Sequence, residues 1–167
     1  MPDSNTLLMV LTGAAILGGL YYVLKKPAKT EEATQPVAGR SNGLQLQAYE
    51  RLALLVDRIS IPNLIGRTSH DGLTARDMQF VLTKTVRDEF DHNVTQQIYV
   101  TAEVWSAVKN LKEKNLLIIN QVASVLPASA SGRDLNRALL EFLATDQQAK
   151  LPELVSAAIS FEAKNLL

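Results

Sequence analysis

Apolar positions fall into two patterns along the chain. From Leu7 to Leu24 the sequence LLMVLTGAAILGGLYYVL is 18 residues without a charge. At helical rise that run is roughly 27 Å long, enough to cross the hydrocarbon core of a bilayer. It is apolar all round the helix, unlike the one-sided pattern of a helix buried in a globular domain. A cleaved secretory signal is the rival reading, but the residues ahead of the run carry Asp3 and no lysine or arginine, whereas such signals begin with positive charge. The pattern therefore predicts an uncleaved transmembrane anchor within an amino-terminal segment, residues 1–24.

After Gly43 the pattern becomes periodic. Leu44 to Leu167 carries apolar residues at three- and four-residue steps and no sustained alternation, which predicts an all-α domain. Tyr49, Leu52, Leu55, Val56 and Ile59 make one face of a first helix, about 44–59. Pro62 interrupts it, and IPNLIG reads as a single short turn ahead of the loop RTSHDG. Thr74 and Asp77 have capping-box spacing and open a second helix predicted to run to about Gln97. Thr101 caps a third, about 102–126, with Val104, Val108, Leu111, Ile118, Ile119, Val122 and Val125 as its apolar positions. Pro127 stops it, Ser131 and Asp134 repeat the capping pattern before a fourth helix, and Pro152 begins a fifth that runs to the end. The expected domain, residues 44–167, is a bundle of four to five helices with short connections.

Between anchor and bundle, residues 25–43 read KKPAKTEEATQPVAGRSNG. This stretch holds too few large apolar residues to fold and predicts a disordered tether. Lys25, Lys26 and Lys29 follow the span at once. By the positive-inside bias they place the carboxyl-terminal domain in the cytoplasm, on the inner (cytoplasmic) membrane.

Composition narrows the function classes. The 17 basic and 17 acidic residues cancel, so no net field draws the chain onto nucleic acid, and none is expected as a partner. Cysteine is absent, which removes disulfides, thiolate metal sites and thiol nucleophiles. There is no nucleophile elbow, phosphate-binding glycine loop or His-Glu-x-x-His. No catalytic residue, cofactor or small-molecule substrate is assigned.

One stretch stands out chemically: DEFDHNVTQQIYV, Asp88 to Val100. Met78, Val81, Leu82 and Val86 set an apolar stripe on the second helix, and continuing it leads to Glu89, Asn93 and Gln96. Three readings stay open. Glu89, His92, Asn93, Gln96 and Gln97 could form a buried hydrogen-bond network that fixes the turn into the third helix. With Tyr99 and Trp105 they could instead form a recognition surface. Glu89 and His92 also have the Glu-x-x-His spacing of carboxylate-bridged metal bundles. With His70 the only other histidine, a complete metal centre in one chain is not expected.

The segments QAYERLALLVDRISIPNLIGR and LTARDMQFVLTKTVRDEFDHNVTQQIYVTAEVW resemble an uncharacterised family of membrane-anchored proteins from Bacteroidetes. That family has an E-F-x-H-N-x-x-Q-Q-x-Y pattern, met here at Glu89, Phe90, His92, Asn93, Gln96, Gln97 and Tyr99. The resemblance implies an anchor, a tether and a helical domain, and brings no catalytic residue. The expected function is that of a membrane-anchored, non-enzymatic helical domain for protein–protein interaction, a scaffold or assembly factor, with a protein partner or a second copy of the chain. The alternative is a metal-binding or enzymatic module using Glu89 and His92.

Overall fold

The computed structural model describes residues 38–69, 71–145 and 150–167. The expected transmembrane span, the tether up to residue 37 and His70 lie outside the described residues. Among the described residues no helix is long and apolar enough to cross a membrane.

The described residues are all-α, with six α-helices and no strand. They are α1 (Ala38–Ile59), α2 (Ile61–Arg67), α3 (Ala75–His92), α4 (Ala102–Ser124), α5 (Gly132–Thr145) and α6 (Leu151–Lys164), with a 3-10 helix, Val94–Ile98, between α3 and α4. One core joins them. α3 packs against α4 and α5, α4 also against α5 and α6, and α2 against α5. The α1 face read from the sequence is buried in full: Tyr49, Leu52, Leu55, Val56 and Ile59 all enter the core.

Several features differ from the sequence expectation, among them the last helix, which ends at Lys164 rather than at the end of the chain. α1 starts at Ala38 rather than near Leu44. A helix nucleated on the packed residues of its second half extends backwards at little cost per residue, even through Gly43. The predicted single turn after Pro62 is a seven-residue helix, α2. Proline is accepted in its first turn, where no amide partner exists, and Ile61 and Leu64 anchor it in the core. α3 ends at His92 instead of about Gln97, for a reason that belongs to the site below. Val125, expected in the core, is 81% exposed because it is the residue that caps α4 and no longer follows its stripe.

Only Ser60 separates α1 from α2, and its hydroxyl donates to Asp57 O at 2.9 Å. The carbonyl of Ile59, the last residue of α1, accepts a 2.7 Å hydrogen bond from Nδ2 of Asn115, a buried residue of α4. A carbonyl left over at a helix end is thus satisfied from 56 residues away.

The helix starts are built alike. In Thr74-Ala-Arg-Asp77 and Ser131-Gly-Arg-Asp134 the hydroxyl accepts from the aspartate N–H, at 3.1 and 3.3 Å, and the aspartate accepts back from the capping residue's N–H, at 3.3 and 3.0 Å. Both boxes follow the spacing expected from the sequence, with aspartate in the glutamate position. The two starts also lie side by side in an antiparallel bridge. Ala75 N–H donates to Ala130 O at 2.9 Å, and Gly132 N–H donates to Leu73 O at 2.8 Å. Gly72, at φ 73°, turns the chain into the first of them.

Gly132 sits where the two starts touch. A Cβ there would meet Met78 Cβ at 3.2 Å and both Cβ and O of Leu73 at 3.3 Å. Gly132→Val is therefore expected to destabilise the chain by about 1–3 kcal/mol through overpacking, read as a lower denaturation midpoint.

Candidate functional site

The polar stretch begins where α3 runs out. Its apolar stripe, Met78, Leu82 and Val86, continues at the next four-residue step to buried Phe90. Phe90 stacks on Trp105 of α4 with ring centroids 5.1 Å apart and planes tilted by 32°, and Lys112 Nζ lies 4.5 Å from the Phe90 centroid. Trp105 is half-buried against the core in this arrangement. The stripe therefore stays apolar to the end of α3, and polar groups gather beside it.

Glu89 is the centre of that polar group. Its Oε1 accepts from Arg58 Nε at 2.9 Å and from Arg58 Nη2 at 2.6 Å, and lies 3.7 Å from Arg67 Nη1. Arg67 in turn donates from Nη2 to the Arg58 carbonyl at 2.5 Å. The last turns of α1, α2 and α3 are thereby joined through one carboxylate oxygen. The Glu89 side chain is 16% exposed. Hydrogen bonding from Arg58 holds the Glu89 carboxyl below its ordinary range; partial burial opposes this, and the charges of Arg58 and Arg67 add to it. Arg58 is pushed up by the same hydrogen bond and charge.

Asn93 explains the early end of α3. It is buried, and its Nδ2 donates to Glu89 O at 2.8 Å, so a side chain takes the carbonyl that the next helical amide would have used. The chain then tightens, with Asn93 O accepting from Gln96 N–H and Gln96 O from Tyr99 N–H, both at 3.0 Å. This three-residue spacing is that of a 3-10 helix.

The remaining candidates are placed separately. Gln96 is half-buried, with Nε2 3.4 Å from Thr95 Oγ1. His92, Gln97 and Tyr99 are exposed. Glu89, His92, Asn93, Gln96 and Gln97 do not form one network: Glu89 and Asn93 are linked, while His92, on the last turn of α3, and Gln97, in the 3-10 turn, are exposed. Arg87 and Asp91 are exposed, and a four-residue ion pair on α3 joins Lys84 to Asp88.

His92 does meet Glu89 and Asn93 at a shared opening. Together with Arg51, Leu54, Leu55 and Arg58 they line a cleft of about 430 Å³ between α1 and the end of α3. Glu89 Oε1 faces two guanidinium donors there, which leaves it poorly suited to a cation. Among the described residues no group of three or more His, Cys, Asp and Glu side chains is arranged to hold a metal ion.

Sequence reasoning missed Arg58, Arg67 and Asn115. The signal for the arginines lies in Glu89 itself, since a carboxylate beside a core stripe requires a counter-charge, and basic residues at helix ends are the first places to look. Asn115 offered a similar cue, being one amide set among the apolar positions of α4.

The Glu89 pair sets a pH dependence. A carboxyl whose folded pKa is lowered adds stability that is fully present above its unfolded value, about 4.3, and is lost as pH falls through the folded value. Glu89→Gln should lower stability at pH 7 by about 1 kcal/mol, given the part-exposed arginine. In melting curves recorded from pH 7 to pH 2.5, the gap between the two proteins should close below about pH 4. A gap that stays constant across that range would show that the carboxylate charge is not what Arg58 holds.

No curated protein and no solved structure matches the chain. A family described only as of unknown function (DUF7935) matches over residues 4–166. That stretch takes in the apolar amino-terminal run, residues 25–43 and all but the last residue of the helical domain, and the chain belongs to this family.

Proposed function

We propose that this chain is a single-pass protein of the cytoplasmic membrane whose helical domain, on the cytoplasmic side, binds another protein as a scaffold or assembly factor rather than catalysing a reaction. The anchor rests on the uncharged run from Leu7 to Leu24 and the lysines that follow it. The observation that carries the binding role is the apolar surface around the end of α3. Leu54 lines the 430 Å³ cleft and is 56% exposed. The 3-10 helix that leaves the cleft exposes Ile98 by 72%, with Val94 and Tyr99 also outside the core. Apolar and aromatic side chains grouped beside an arginine-carboxylate pair have the composition of an interface centre.

The test is crosslinking in intact membranes followed by purification of the full-length chain. A specific protein should be recovered with it, and Leu54→Glu with Ile98→Glu should reduce that recovery tenfold or more while the melting temperature stays within a few degrees. Recovery of no other protein, with or without crosslinker, would count heavily against this reading.

A further inference from the structure

We draw no further inference here: the strongest candidate, the exposed apolar stripe of Leu154, Ala157, Ala158 and Phe161 along α6, carries none because nothing in the structure shows what covers it.

Discussion

Leu82→Ala is expected to lower the stability of the full-length chain by about 2–5 kcal/mol, measured by chemical denaturation followed through helical circular dichroism. Leu82 is fully buried at the middle of the α3 stripe, between Met78 and Val86, which are equally buried. α3 packs against both α4 and α5, and Leu82 belongs to the one core that joins them. The loss combines transfer of the missing methyl groups with the dispersion attraction forfeited by the walls of the cavity, and so belongs at the upper part of the range for core truncations. A loss under about 1 kcal/mol would mean that the site collapses freely and that the core is looser than its burial indicates.

Asn115→Ala carries the second-largest expected effect. Its amide donates to the Ile59 carbonyl at 2.7 Å, and both residues are buried. Truncation would leave a buried carbonyl without a donor, which costs about 1–3 kcal/mol, and would add a small void. Asn115→Leu separates the two effects, because it fills most of the space and still supplies no donor. If both variants lose stability to a similar degree, the hydrogen bond is responsible. If leucine restores the wild-type midpoint, packing is. Because Ile59 ends α1 and Ser60 alone precedes α2, the same substitution should also loosen the corner between those helices, visible as faster amide exchange at Leu64, whose N–H bonds Ser60 O.

What could be read from the sequence was local. The boxes at Thr74/Asp77 and Ser131/Asp134 involve residues three apart, and the buried face of α1 repeats with the helical period. Neither depends on where other elements lie. Arg58 with Glu89 and Asn115 with Ile59 are 31 and 56 residues apart, and no periodicity relates them. The end of α3 escaped prediction for a subtler reason. Helical and 3-10 bonding differ by one residue in the partner chosen, and the choice at Asn93 is made by its own side chain reaching Glu89 O. Of the residues singled out, Glu89 and Asn93 are tied to each other and Glu89 to neighbouring helix ends, while His92 is exposed on the last turn of α3 and Gln97 and Tyr99 are exposed at a 3-10 turn that the pattern E-F-x-H-N-x-x-Q-Q-x-Y does not encode.

The paired main-chain bonds between Leu73 and Gly132 and between Ala75 and Ala130 turn two separate connections into one pin. Neither α3 nor α5 can swing away from its neighbour until both bonds part, so the amides of Ala75 and Gly132 should exchange with solvent in step rather than one before the other. The starts of α3 and α5 are thereby held as one unit.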